Sequence, residues 1–427
     1  MKAVKLHIVR LGLVRNADIE IAPLMVFSGE SGLGKSYVAI LCHYFFHVWL
    51  NPKRIDSFFK SIQMSRGINF FDAAQSFPEN TEALNITKEE FEAWLAKDAV
   101  AYLQYMLGFD GLSAEIKVSL PDAIPEHIVF KYEQELMGLN NAEDLYHKLT
   151  CMHVTYRFRQ LGIQDESPYA FVLRNAMVNE IFGDIRKIDY SFVLPPSRGS
   201  YMSEEITGRT GLYKSFISGM RELDQVQEVP DNISGQLVEL FKKVMDGEVR
   251  KSGDKYVYIT HGETLPVSAA ASSIREIAPL QLMISRRDIS KASILIEEPE
   301  AHLHPLKQRM MADIIAAMSI GNAYMQITTH SDYFIRRIND LMRLHILKNK
   351  LSGDKYAAFC MKYGFIAELT LNPDSMSAYF LEKGNDGYVK VNRQNSAMGI
   401  PFDTFKVING KPMTDSAMLY ELTADEM

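Results

Sequence analysis

Gly29-Glu30-Ser31-Gly32-Leu33-Gly34-Lys35-Ser36 combines small residues that let a backbone turn sharply with a lysine and a hydroxyl suited to meeting charge. Its spacing, G-x-x-x-x-G-K-S, is that of a phosphate loop. Leu24 to Phe27 before it read as a compact apolar strand. The run from Ser36 to Leu50, which has no Gly or Pro, reads as a buried helix. In that setting the backbone N–H groups of Gly29 through Gly34 turn toward phosphate oxygens, and the helix adds its positive end. Lys35 is expected to reach the β- and γ-phosphates, and Ser36 to place its hydroxyl on Mg²⁺. The expected ligand is ATP with Mg²⁺.

Two later segments supply what a phosphate loop alone lacks. Ile294-Leu295-Ile296-Glu297-Glu298-Pro299-Glu300-Ala301-His302-Leu303-His304-Pro305 is an apolar strand ending in paired acids. That strand is expected to lie beside the phosphate-loop strand. Glu297 would then support Mg²⁺, and Glu298 would orient and deprotonate the attacking water. Ile327-Thr328-Thr329-His330-Ser331 follows at one strand-helix-strand spacing, placing His330 where it could contact the γ-phosphate. Ser272 and Ser273 fall where a helix over Ile274 to Met283 should begin. They suit a second phosphate clamp or an ordinary N-cap, and both readings stand. His302 and His304 with Glu300 resemble metal ligands, but the turn they occupy argues against zinc.

Bulk properties restrict the classes. At 427 residues, with 47% apolar and 23% charged, the chain exceeds the usual single-domain size and implies one large elaborated domain or two lobes. No apolar run is long enough to span a bilayer, so no membrane partner is expected. Cys42, Cys151 and Cys360 are odd in number and widely spaced, which fits buried thiols in a cytoplasmic protein. A net charge of −7 argues against nonspecific coating of nucleic acid. Arg286-Arg287 with Lys291, Arg336-Arg337, and Arg157 with Arg159 leave a local basic groove open.

Four segments organise the chain. Residues 1–50 hold the first part of an ATPase head, with strands expected over Val4 to Val14, Ala17 to Ile21 and Leu24 to Phe27. Residues 51–190 form a mixed, mainly helical insertion. Within it Thr87-x-x-Glu90 is a capping box, Tyr169 to Phe182 is a helix, and Ala114 to Leu120 and Ile128 to Tyr132 suggest a strand pair. Residues 191–350 complete the motifs, with a polar, mobile stretch to about Asp231, a helix from Gln236 and a hairpin turning at His261-Gly262. Residues 351–427 alternate short strands and helices that finish the head.

These motifs resemble the ABC-type ATPase head shared by SMC proteins, RecF and the OLD-family ATPases. Glu297 to Pro305, Leu194-Pro195-Pro196-Ser197-Arg198 and Ile327 to Ser331 are similar to the version in OLD-like bacterial defence ATPases. The resemblance implies an α/β fold: a P-loop head with a mixed sheet, an antiparallel β-subdomain and a compact insertion. It also implies nucleotide held between two heads, with Ser272 and Ser273 where the signature falls. The Ser-Gly-Gly core is absent, and Ile274 stands where glycine is common. OLD nucleases carry a Toprim domain with a Glu and a later Asp-x-Asp, and no such constellation follows His330. The chain therefore resembles standalone ATPase subunits of the AriA type in PARIS and the PtuA type in Septu. That likeness implies antiviral defence by abortive infection. The chain would be a homo-oligomeric sensor and scaffold for a separately encoded nuclease or toxin effector, answering a phage-encoded trigger protein. The alternative is a RecF/SMC-like repair ATPase acting directly on DNA. A transporter engine would carry Ser-Gly-Gly-Gln and an Asp-Glu-Pro-Thr-type acid motif, and this chain has neither.

Overall fold

The computed structural model describes residues 1–66, 84–139, 142–158, 166–204, 206–226, 235–253, 255–395 and 399–400. The chain opens with β1 (Lys5–Leu11), β2 (Val14–Glu20), β3 (Leu24–Gly29), α1 (Lys35–His47) and α2 (Pro52–Arg66). Next come β4 (Asn85–Thr87), α3 (Lys88–Leu107), β5 (Ala114–Ser119), β6 (His127–Leu139), β7 (Ala142–Cys151), β8 (Val154–Phe158) and α4 (Pro168–Phe182). The third stretch holds β9 (Tyr190–Leu194), α5 (Gly211–Asp224), α6 (Gly235–Met245), β10 (Glu248–Ser252), β11 (Lys255–Thr260), β12 (Glu263–Pro266) and α7 (Ser272–Arg286). It ends with β13 (Ala292–Glu297), α8 (Pro305–Ile320), β14 (Tyr324–Thr328), α9 (Asp332–Lys350), α10 (Gly353–Tyr363), β15 (Met376–Lys383) and β16 (Val389–Gln394). The strands and helices expected from 401 to the end lie outside the described residues.

One nine-stranded sheet, ordered β5-β1-β2-β16-β15-β3-β14-β13-β9, organises the molecule. Its β15-β3-β14-β13-β9 part is parallel, whereas β1 runs antiparallel to both of its neighbours, β5 and β2. Successive residues of β3 feed two cores: Met25 and Phe27 join the cluster with α1 to α4, and Leu24 and Val26 join the cluster with α5 to α9. A strand buried on both faces has no polar side to show. That is why Leu24–Phe27 and Ile294–Ile296 read as continuous apolar runs. At the end of β3, Gly29 lies against β15: a Cβ there would stand 2.3 Å from the carbonyl oxygen of Leu381. Only glycine admits this approach.

The structure corrects four expectations. The first strand ends at Leu11, because Gly12-Leu13 makes the turn into β2. β5 and β6 do not pair: β5 lies along β1 in the large sheet, and β6 pairs with β4 and β7 in a four-stranded one. The polar stretch before Asp231 contains α5, capped by Thr210. It buries Leu212, Phe216, Ile217, Met220 and Leu223 on one face, a helical period diluted by interleaved polar residues. The acid-bearing β13 is not next to β3, because β14 runs between them. Elsewhere local chemistry decides the elements as read. Thr87 and Glu90 form the reciprocal capping box. His261 and Gly262 adopt φ of 47° and 82° to turn the hairpin. Cys42, Cys151 and Cys360 are all buried free thiols.

Candidate functional site

The carboxyl ends of β3, β14 and β13 converge on the phosphate loop. Gly32 and Gly34 take φ of 80° and 89°, and Gly34 starts α1 without any side-chain cap. The first amides of α1 are thus left for a ligand. Lys35 is buried, and its Nζ donates to the carbonyls of Gly29 (2.9 Å) and Glu30 (2.7 Å). Burial pushes its ammonium below the ordinary value, while Glu298, Glu300 and Glu297 hold it up. A cavity of about 480 Å³ is lined by Leu13, the loop from Ser31 to Ser36, Tyr37, Glu298 and Thr328.

The Ser36 hydroxyl donates to Glu297 Oε2 across the width of β14. The longer arm of a glutamate suits that span. Burial raises the Glu297 carboxyl above its usual range, opposed by the Ser36 hydrogen bond. Glu298 has φ 47°, in the left-handed region. For a residue with a Cβ this costs about 1–3 kcal/mol and needs surrounding restraint. The restraint is visible: its amide donates to Thr328 O (3.0 Å) and approaches Thr328 Oγ1 (3.3 Å). The turn aims the Glu298 carboxylate at His330, whose Nδ1 lies 3.3 Å from Oε1. Hydrogen bonding to His330 lowers the Glu298 carboxyl, and the same bond raises the imidazole against the opposing effect of burial.

His330 does not line the phosphate-loop cavity. It lines a neighbouring one of about 460 Å³, with Glu300, His302 and Arg336. Glu298 lines the first cavity and touches His330, which lines the second. Glu300 is buried and accepts from Thr329 Oγ1 (2.5 Å) and the His330 amide (3.2 Å), so it fixes the backbone that carries the histidine. His302 and His304 sit on an exposed turn, and His304 caps α8 through Leu306 N (3.4 Å). Ser272 is exposed and Ser273 half-buried at the start of α7, and neither lines the phosphate-loop cavity. One chain therefore brings together Lys35, Ser36, Glu297, Glu298 and His330, and leaves Ser272 and Ser273 apart.

The residue that motif reading passed over is Arg198. Its side chain is buried and donates to the carbonyls of Pro195 (3.2 Å), Glu297 (2.8 Å) and Glu276 (2.9 Å), with Glu298 O at 3.4 Å. Hydrogen bonds from a charged donor contribute roughly 1.5–3 kcal/mol each. A signal was present in Pro195-Pro196: prolines that stop β9 leave the end of the neighbouring strand in need of another donor.

Among solved structures, the chain is similar to the Smc head bound to the C-winged helix domain of ScpA, with TM-score 0.41, 12% identity, and coverage of 93% of this chain and 98% of that one. The SMC head domain from Thermotoga maritima gives 0.34, 10%, 92% and 99%. The Smc head domain with an extended coiled coil bound to the C-terminal domain of ScpA, derived from Pyrococcus furiosus, gives 0.39, 10%, 96% and 100%. No curated protein matches the sequence. Residues 212–335, which carry the acid pair, Glu300 and His330, match the family described as AAA ATPase domain (AAA_15).

Proposed function

We propose that this chain binds ATP with Mg²⁺ and hydrolyses it. The observation that carries the reading is the meeting of the Ser36 hydroxyl with the buried Glu297 carboxylate, at the mouth of a glycine loop. A hydroxyl that lines the cavity, with a carboxylate oxygen hydrogen-bonded behind it, fits a hard divalent cation. Ser36 and Glu297 would hold Mg²⁺, which neutralises phosphate charge when bound. Lys35 and the loop amides would bind the phosphates. Glu298, kept ionised by His330, would take the proton of the attacking water. His330 would orient that carboxylate through its Nδ1 contact. Replacing Lys35 with alanine is expected to lower turnover by about 10²–10³-fold, the usual cost of a lost charge-stabilising donor. Normal turnover by a folded Lys35→Ala protein would remove the reading.

The finer reading is a homo-oligomeric defence ATPase that holds a separately encoded nuclease effector. Its support is the resemblance of the three motifs to OLD-like defence ATPases. Ser272 and Ser273 add to it, since they begin a 15-residue helix with no side-chain cap on their exposed side. That end is free to meet nucleotide held by a second copy. Light scattering with and without ATP tests assembly: monomer under both conditions sinks the two-head arrangement. Co-expression with a neighbouring nuclease gene tests the effector. Cleavage of DNA by the lone chain, surviving Lys35→Ala, would overturn that part.

A further inference from the structure

We propose that Arg198 is a positioning residue for hydrolysis, one that holds the acid pair in its working geometry and ties it to the first turns of α7. The inference rests on the ATPase reading above.

The parallel ladder between β9 and β13 ends at the Leu194–Ile296 pair. Pro195 and Pro196 cannot continue it, since neither has an amide hydrogen. The carbonyl of Glu297, one residue past the ladder's end, faces the side from which no strand amide can come. Arg198 takes that place. After Ser197 turns the chain back at φ 55°, the guanidinium re-enters beneath the strand end. Nη1 donates to both Glu297 O and Pro195 O, and Nη2 reaches Glu298 O. The planar fork thus spans two consecutive carbonyls of the peptide that must stay left-handed at Glu298.

The third nitrogen points the other way. Nε donates to Glu276 O at 2.9 Å, and the Glu276 carboxylate lies 3.8 Å from it, both partners being buried. Glu276 is one turn into the helix that begins at Ser272. Gly199 allows this contact, because a Cβ there would stand 3.0 Å from Glu276 Oε1 and 3.1 Å from the backbone of Arg275. One side chain therefore locks the acid-bearing turn to the first turns of α7. Lysine cannot reproduce this, being a single point of charge with no fork.

Arg198→Lys separates positioning from bulk stability. The variant should keep nucleotide KM within about threefold while kcat falls by about 10–100-fold, since a misplacement near 1 Å costs up to about 10² in rate. Hydrogen exchange should rise in the peptide covering 297–303 and stay unchanged in 292–296. If the shorter reach of the lysine ammonium leaves the buried Glu276 poorly paired and prevents folding, the double variant Arg198→Met, Glu276→Gln removes both charges, and its melting temperature should recover while kcat stays low. Wild-type kcat with unchanged exchange in either folded variant overturns the proposal. So does a loss of kcat matched by an equal loss of affinity with exchange rising throughout β13. Should the wild-type chain fail to hydrolyse ATP, the ATPase reading falls on its own, and local exchange at 297–303 still decides whether Arg198 holds the turn.

Discussion

The carboxyl end of the central sheet and the insertion packed on α1 are stabilised by different forces. At the sheet end the buried side chains are charged: Lys35, Arg198, Glu297 and Glu300 are exposed by only 6%, 2%, 4% and 3%. Each is held by a directed hydrogen bond, so its identity matters as much as its volume. In the insertion charged side chains are buried at Asp56, Lys88 and Glu180, but the centre of the packing is built from aromatic rings. Phe91 stacks on Trp94 at 5.7 Å and meets Phe58 edge-on at 4.9 Å, while Phe59 approaches Phe130 and Tyr169 at 6.0 Å each. Non-directional packing of that kind tolerates exchange among apolar residues of similar size. A directed link from the insertion to α1 runs through Asp98, which accepts from Tyr44 of α1 (2.8 Å) and, within the insertion, from Arg54 (2.7 Å). Changes at the sheet end should therefore alter turnover more than stability, and changes in the insertion should do the reverse.

The largest effect expected is at Glu298. Glu298→Gln keeps shape and hydrogen bonding but cannot accept a proton, so hydrolysis should fall by about 10²–10⁴-fold while ATP still binds and persists. Single-turnover assays with labelled ATP read both quantities. Normal hydrolysis by Glu298→Gln with a dead Glu297→Gln would exchange the two roles.

The insertion supplies the opposing test. Phe91→Ala removes a fully buried ring from the middle of the aromatic cluster and should destabilise by about 3–5 kcal/mol. Turnover per folded molecule should not change. A chemical-denaturation series combined with active-site titration separates the two. The contrast breaks if Phe91→Ala lowers kcat at full stability, because the insertion would then reach the chemistry.

The same contrast explains what could be read before the structure. Gly29 to Ser36 is legible because phosphate binding demands specific residue types at a specific spacing, all within eight consecutive positions. Thr87 with Glu90 and His261 with Gly262 are legible for the same reason, since caps and tight turns are local. Sheet order is not local. Nothing in Ile294–Glu297 says that Tyr324–Thr328 will come between it and the phosphate-loop strand. Likewise nothing in Ala114–Ser119 says that it joins β1 instead of the nearby β6. Arg198 closes the Leu194–Arg198 motif, but its role depends on Glu276 and Glu297, 78 and 99 residues away. Long-range partners of a single side chain leave no periodicity behind.

The smallest effect tests whether the Glu298–His330 pair works at the sheet end as a directed contact. Both groups are partly open to solvent, with side chains 34% and 46% exposed, so the pair should contribute only about 0.2–1 kcal/mol to stability. Its pH dependence is nonetheless distinctive. The Glu298 carboxyl is lowered from 4.5, so its contribution is complete above that value and is lost as pH falls through the lower folded-state value. The His330 imidazole is raised from 6.5, so its contribution is complete below 6.5 and is lost as pH rises through the higher folded-state value. The two limits leave a plateau between pH 4.5 and 6.5, falling away on either side. Subtracting the urea-unfolding free energy of His330→Gln from that of the wild type, without nucleotide, should trace this dome across pH. Added salt of about 0.5 M should flatten it, because exposed charges at this spacing are screened. A difference that is constant with pH would mean that His330 is held by packing alone. A difference that grows above pH 8 would mean that the neutral imidazole is the stabilised form, and that His330 meets Glu298 without carrying the proton assigned to it.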